Sequence, residues 1–421
     1  MNKIDYFKTE DWASIALGSI LLIFAIFFKS IEKIQLWNFN HIDALLQYNY
    51  LQLSYIVLML GSLFFLTHQI LEKKKSKFIF PFLFLSCLTY LAVLLSRYEW
   101  SQIYGFGYAF WALMIGLIIS NIFRTPTFLI PVLKAELYVK TGLVLLGAEI
   151  IFSKMTHLGL PALSVAWIVT PIVIIFMYYF GTKILKMNKQ LSIVIATATS
   201  VCGVSAAIAC AAACRAKKEE LTLAVSMTLI FTVIMMITLP VIVDFFDIDP
   251  LVGGAWIGGT IDSTGAVVAA GAVLGQEAMN VAAIVKMIQN IMVGVVAFIV
   301  AIIWSIDDNT NQKVSYFEIW HRFPKFILGF IGSSIIFSFI LQPLFGTSFI
   351  EDITHTSMTY RSWLFTMAFL VIGMESNFTV FAKYIQNGKP IWLYIVGQGF
   401  NLILTLIVAI IAFGGTVFAL T

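Results

Sequence analysis

Eleven long stretches of this chain carry almost no charge: 12–28, 54–71, 78–95, 107–123, 133–152, 158–182, 221–243, 278–304, 326–345, 361–376 and 390–420. A helix needs about 20 apolar residues to cross the hydrocarbon core of a bilayer. A segment in that core must satisfy its own backbone hydrogen bonds, so repeated spans of this kind are helical. Charged residues are 11% of the 421, and hydrophobic residues are 60%, whereas a soluble domain is about 25% charged. Too little polar surface remains to coat a water-soluble globule. A cytosolic enzyme, a secreted disulfide scaffold and a disordered tail are excluded. The expected fold is an all-α polytopic membrane protein whose main partner is the lipid bilayer. The net charge of +4 is not gathered on a soluble domain, so nucleic acid is not an expected partner.

Two further stretches, 191–214 and 251–275, are apolar but interrupted. The first breaks at Cys202-Gly203-Val204-Ser205 and the second at Thr260-Ile261-Asp262-Ser263-Thr264-Gly265. About ten residues lie on each side of a break, which is half a crossing. The two breaks can be superposed: Thr199 to Ala207 over Gly259 to Val267, each with small hydroxyl residues, a central glycine and an Ala-rich continuation. Irregular backbone at membrane depth is tolerated where protein encloses it or it lines a cavity. Paired broken elements are the mark of binding sites in secondary transporters. The alternative is a pair of ordinary helices with small residues at packing interfaces.

Lys and Arg accumulate in cytoplasmic loops. With the N-terminus inside, 11 crossings and the two broken segments as hairpins, 20 of the 26 cations fall on the cytoplasmic face. The first broken segment is flanked by Lys183, Lys186 and Lys189 before it and Arg215, Lys217 and Lys218 after it. Asp244, Asp247, Asp249 and Glu277 flank the second. One crossing, 221–243, separates them. Two hairpins entering from opposite faces follow, as an inverted repeat requires, although a broken helix that crosses fully stays open. This places the C-terminus outside. A second echo, Leu143 to Glu149 against Phe369 to Glu375, lies on helices running in opposite senses. Residues 1–100 lack such echoes and read as an accessory three-helix bundle. Its run Glu72-Lys73-Lys74-Lys75-Ser76-Lys77 reads as a headgroup anchor. Residues 101–421 read as the transporter core. The N-terminus does not read as a cleavable signal.

Charges at membrane depth are costly and functional. Asp262 sits in the second break, where it could bind a coupling ion, carry a proton or cap the following half-helix. Lys286 lies eight residues into its span, with Gln289 and Asn290 on the same face. That triad could hold an anionic group or replace a coupling cation, or the lysine could snorkel outward. The second arms, starting near Val204 and Thr264, would aim their N-terminal ends at mid-membrane, where such ends favour anions. Ser200, Cys202, Ser205, Ser263 and Thr264 lie beside them, and Gly203 and Gly265 permit the turns. Glu149 and Glu375 are secondary candidates near helix ends, read as solvated or locally paired. Glu136 and Lys140 read as an i,i+4 ion pair. Cys87, Cys202, Cys210 and Cys214 lie in apolar segments and read as small buried residues. The five histidines fall at segment ends or in loops, so no metal site is expected.

The stretch Thr197 to Leu239, with Thr199-Ser200-Val201-Cys202-Gly203 and Arg215-Ala216-Lys217-Lys218-Glu219-Glu220, resembles the YeiH family of sulfate exporters. So do Gly254-Ala255-Trp256 through Val267-Val268-Ala269-Ala270-Gly271, and Val285-Lys286. The resemblance covers roughly residues 105–421. It implies an integral inner-membrane transporter, related at superfamily level to inverted-repeat antiporters and bile-acid-type symporters. The chain departs from the family pattern at Asp262-Ser263, where a His followed by an acid is expected. Ala266 stands in place of Gln, and Gln289 and Glu149 each stand in place of Arg. Two cations are lost and a carboxylate gained, which weakens the expectation of an anionic solute and of sulfate in particular.

The function expected is secondary active transport, most simply export, of a small anionic solute such as sulfate or an organosulfonate. Competing readings are a carrier of a non-sulfate organic solute and a non-transporting receptor or scaffold. No nucleotide-binding loop is present, so the energy source expected is a Na⁺ or H⁺ gradient, with no cofactor. An intramembrane enzyme is not expected, since Cys202 and Ser205 have no histidine in their segments. The small-x3-small pairs Gly254/Gly258 and Gly271/Gly275 would suit a homodimer or packing within one chain.

Overall fold

Helices account for nearly all of the structure, and the apolar stretches show why: none has the period-2 alternation of a half-buried strand. The computed structural model describes residues 9–27, 37, 50–72, 77–103, 107–149, 152–307, 323–376 and 388–415. Fifteen helices organise them. These are α1 (Glu10–Phe27), α2 (Tyr50–Glu72), α3 (Ile79–Ser96), α4 (Tyr108–Phe123), α5 (Ala135–Glu149), α6 (Phe152–Tyr179), α7 (Lys189–Ser200) and α8 (Val204–Cys214). They continue with α9 (Lys218–Phe245), α10 (Pro250–Thr260), α11 (Thr264–Val273), α12 (Gln276–Asp307), α13 (Phe326–Phe345), α14 (Thr347–Glu375) and α15 (Gly388–Phe413). No strand occurs among the described residues; the one isolated bridge joins Trp37 and Tyr98. Lys73, Lys74, Lys75 and Ser76 of the expected lysine anchor lie outside the described residues.

Eight of these helices are long and apolar enough to cross a membrane: α1, α2, α3, the 158–184 part of α6 with its continuation, α9, α12, α13 and α15. The sequence predicts 11 crossings, and the three others are present but fall short of that standard. α4 and α5 are brief, and α14 is long but polar at its start. The expected segment 361–376 begins at Thr347, because the turns Thr347 to Tyr360 are helical while carrying Glu351, Asp352 and His355. Hydropathy does not register a helix of that composition.

The helices form two compact units, Met1–Lys154 with Lys325–Ser376, and Met155–Pro324 with Asn377–Thr421. In the first, α5 packs against α1, α13 and α14. Every residue from Leu137 to Ala148 except Lys140 is buried, so α5 is apolar all round, as a helix enclosed by others should be. Lys140 is held 2.9 Å from Asp11 and 2.8 Å from Glu136, its i+4 partner.

In the second unit both broken segments fold back on themselves. The thiol of Cys210 lies 3.7 Å from the carbonyl of Ile193, and Thr197 Oγ1 is 3.4 Å from the same sulfur. A continuous helix would separate Ile193 and Cys210 by about 25 Å. In the second segment a Cβ at Gly253 would lie 3.5 Å from Leu274, 21 residues on. Gly254 and Gly271 both abut the first turn of α12, a Cβ on each lying 2.5 Å from Ala278 O and 2.8 Å from Met279 Cα. α7–α8 and α10–α11 are therefore helical hairpins rather than broken straight helices.

Their bases lie at opposite ends of α9, a helix about 42 Å long. At its N-terminus, Glu220 accepts from Lys217 N at 2.9 Å and from Asn188 Nδ2 at 2.8 Å, and Asn188 caps α7. At its C-terminal end, Val243 packs on Gly253, and Asp249 caps α10 through Leu251 N at 2.8 Å. The hairpins share α12 in the same opposed sense. α10–α11 occupies its first turns, whereas α7–α8 clusters with Met292, Val296, Val300 and Trp304.

Candidate functional site

The two hairpin tips meet at the middle of α12. The first arms end at Ser200 and Thr260, and a helix end leaves its last carbonyls without intrahelical donors. Here those carbonyls are met by side chains of the protein. Lys286 Nζ donates to Val201 O and, at 2.7 Å, to Gln289 Oε1. Gln289 Nε2 lies 2.9 Å from Ser200 O and 3.1 Å from Gly259 O, so a single amide ties one tip to the other. Thr170 of α6 completes the group, 3.1 Å from Gln289 Nε2 and 3.3 Å from Ser200 O.

Gly203 makes the first turn with φ of +59°, a conformation that disfavours a Cβ, and a Cβ there would lie 3.4 Å from Asp262 O. The second break is an extended stretch, Ile261 to Ser263. Asp262 is 0% and Lys286 1% exposed, and the two lie within electrostatic reach of each other. Such a pair is tolerated when its remaining valences are satisfied. Tyr394 of α15 donates its hydroxyl to Asp262 Oδ2, while Oδ1 has no partner among the described residues.

Tyr394 opens a polar stripe on α15. Tyr394, Gln398, Asn401 and Thr405 recur at i, i+4, i+7 and i+11, which is one face of a helix. Gln398 Nε2 donates to Thr260 O at 3.0 Å, Thr405 Oγ1 donates to Asn401 Oδ1 at 2.9 Å, and the Thr405 methyl packs at Gly259. Thr260 Oγ1, Gln398 Oε1 and Asn401 Nδ2 are buried without a protein partner among the described residues.

The expected site residues divide as follows. Ser200, Cys202, Gly203, Asp262, Gly265, Lys286, Gln289 and Asn290 are buried at or beside the tips, and Ser263 and Thr264 are half-buried there. Ser200 contributes its carbonyl, because its hydroxyl is returned to Ala196 O at 2.7 Å. Asn290 Nδ2 donates to Thr264 Oγ1 at 3.0 Å, and Asn290 Oδ1 has no partner among the described residues. Asp262 does not cap α11. Ser263 holds the cap position, and no side chain caps the helix there. Ser205 is exposed. Of the secondary candidates, Glu375 is exposed at the end of α14. Glu149 is neither solvated nor locally paired. It forms a buried ion pair in the first unit with Arg361, 212 residues away, at 2.9 Å with both side chains 3% exposed.

The four cysteines are thiols rather than disulfides: Cys202, Cys210 and Cys214 are buried, and Cys87 is exposed on α3. Among the described residues no group of three or more His, Cys, Asp or Glu side chains is placed to hold a metal ion. Sequence reasoning missed Thr170, Thr260, Tyr394, Gln398, Asn401, Thr405 and Arg361. The stripe on α15 was detectable by its helical spacing; the others carry no local signal.

The profile of the family described as Conserved hypothetical protein 698 matches residues 80–394, a stretch that contains both hairpins and α12. The chain belongs to this family. Among its relatives in family 698, a UPF0324 membrane protein of Rhodopirellula baltica is 49% identical over 90% of this chain and 70% of its own length. Another, from Nitratidesulfovibrio vulgaris, is 46% identical over 86% of this chain and 64% of its own. A third, from Nitrosomonas europaea, is 30% identical over 71% and 67%. The chain thus spans about two thirds of the length of the curated relatives it matches. Each is described as a membrane protein, and so is this one. No solved structure matches the chain.

Proposed function

We propose that this family 698 protein is a secondary active transporter, an exporter of a small anionic solute such as sulfate or an organosulfonate. It works by alternating access around the two hairpin tips. One observation carries the reading: two hairpins, entering from opposite ends of α9, bring their tips together on a fully buried lysine and carboxylate. Burying two charges among apolar helices is expensive. It is intelligible where a solute or ion must be met at mid-membrane. The second arms, α8 and α11, begin at the tips with no side-chain cap, so their first N–H groups face the same region.

The proposed architecture is an inverted repeat, and two matching glycine contacts support it. Gly147 of α5 packs on Phe330 and Ser333 of α13, while Gly373 of α14 packs on Leu113 and Gly116 of α4. The two glycines of the sequence echo thus make the same contact, each with residues three apart on a neighbouring helix. The bilayer in question is the inner (plasma) membrane. The basic base of α7–α8 faces the cytoplasm, the acidic base of α10–α11 faces outside, the N-terminus lies inside and the C-terminus outside.

The test is counterflow in proteoliposomes with labelled sulfate, sulfonates and carboxylates. Wild type is expected to exchange one of these classes, and Asp262→Asn and Lys286→Ala to abolish exchange while remaining folded. Saturable binding without flux would make the protein a receptor instead.

A further inference from the structure

Rings of backbone carbonyls such as those at the tips are where a hard cation would lodge between two broken elements. Val201 O takes the Lys286 ammonium, Ser200 O and Gly259 O take the Gln289 amide, and Thr260 O takes the Gln398 amide. Four carbonyls from both hairpins are thus filled by N–H donors of the chain itself, and one donor carries a full positive charge. A sodium ion entering there would have to displace donors held at hydrogen-bond distance and sit beside a buried ammonium.

We infer that Lys286 is a built-in replacement for a coupling cation at the hairpin tips, so that the protein is Na⁺-independent and couples to protons at Asp262. This deepens the carrier reading and rests on it. Among the described residues, the titratable groups at the tips are Cys202 from the first tip, Asp262 from the second, Lys286 from α12 and Tyr394 from α15; the α6 side chain there, Thr170, is uncharged and touches Gln289 and Ser200 O.

The step is a simple proton exchange. Tyr394 holds Oδ2 of the carboxylate. A proton from solvent adds to Oδ1, the oxygen without a protein partner, and returns to solvent on the other side. With Asp262 protonated, the Lys286 ammonium loses its counter-charge and one negative charge on the solute takes its place. With Asp262 ionised, the pair is neutral and the solute is released. One proton therefore moves in the same direction as each solute charge that Lys286 neutralises: an inward proton gradient drives uptake, and export is driven by the solute's own outward gradient.

Two measurements on the purified full-length protein test this. In the first, thermal unfolding is followed in NaCl, KCl and choline chloride at equal ionic strength. The wild-type midpoint is expected to be the same in all three. Lys286→Ala empties the ammonium position, and its midpoint is expected to rise by about 2 °C or more with NaCl or with methylammonium chloride, relative to choline. Lys286→Arg is expected to behave as wild type. A saturable Na⁺-specific rise in the wild type overturns the inference.

In the second, reconstituted protein on a solid-supported membrane is given a pH step in Na⁺-free buffer, then a Na⁺ step at fixed pH. The pH step is expected to displace charge in wild type and not in Asp262→Asn, and the Na⁺ step to displace none. Charge moved by Na⁺, charge that survives Asp262→Asn, or no charge on either step overturns the inference. Should Lys286→Ala fail to fold, the wild-type and Asp262→Asn results decide alone. Absent flux in the counterflow assay, with these ion responses intact, would sink the carrier reading and leave the ion assignment standing.

Discussion

Gln289 Nε2 and Ser200 O lie 2.9 Å apart although 89 residues separate them in the chain. The same amide reaches Gly259 O on the other hairpin and offers its oxygen to Lys286. One side chain therefore links the two hairpin tips and positions the buried cation. Its removal orphans Gly259 O and an ammonium valence, and leaves Ser200 O with only the longer bond from Thr170 at 3.3 Å. Each such loss costs roughly 1–3 kcal/mol. Gln289→Ala is expected to lower the thermal midpoint by several degrees and to weaken solute binding. Gln289→Glu, which keeps the acceptor for Lys286 and loses the donors, should fall between Ala and wild type. Thermal unfolding of the two variants side by side checks the order.

The Tyr394 hydroxyl is the donor that holds the Asp262 carboxylate. Tyr394→Phe removes it without opening a cavity and should cost about 1–3 kcal/mol. In an Asp262→Asn background the same substitution should cost much less, because the charged acceptor is gone. A double-mutant cycle is expected to return a coupling of about 0.5–3 kcal/mol. Additive losses would show that the two residues act separately.

In the first unit, Glu149 and Arg361 are both nearly inaccessible, and the guanidinium also lies over the Phe365 ring at 5.5 Å. Breaking a buried pair by removing one member costs about 3–5 kcal/mol, and replacing both with apolar residues costs far less. Arg361→Met alone should impair folding and yield. Glu149→Leu/Arg361→Met should restore yield, and counterflow should survive in the double variant, since this pair lies outside the tip cluster. Size-exclusion profiles of the three proteins check the order.

Much of this is legible in the sequence. The two breaks announced themselves because glycine and hydroxyl residues interrupt otherwise charge-free stretches, and the flanking charges alone placed their bases at opposite ends of the 221–243 helix. Lys286, Gln289 and Asn290 fall together because residues three and four apart share a helix face. What failed to show has physical causes. The start of α14 is helix through packing rather than hydropathy. The partner of Glu149 is 212 residues away, and no local pattern carries that distance. Ser205 lies one residue past the start of α8, yet is exposed; proximity in sequence to a break does not fix which side of a helix a residue takes. The stripe Tyr394, Gln398, Asn401 and Thr405 was visible in spacing, but only the position of α15 beside the second hairpin gives it meaning.

In alternating access the hairpin tips face water from each side of the membrane in turn. Thr264, half-buried at the second tip, is the position at which to measure it. A single cysteine there, in a chain whose four native cysteines are replaced by serine or alanine, is exposed to a membrane-impermeant maleimide from either side of oriented vesicles. Alternating access predicts labelling from both sides, with a transported solute changing both rates in opposite directions. Labelling from one side only, unchanged by any solute that the protein binds, would contradict it.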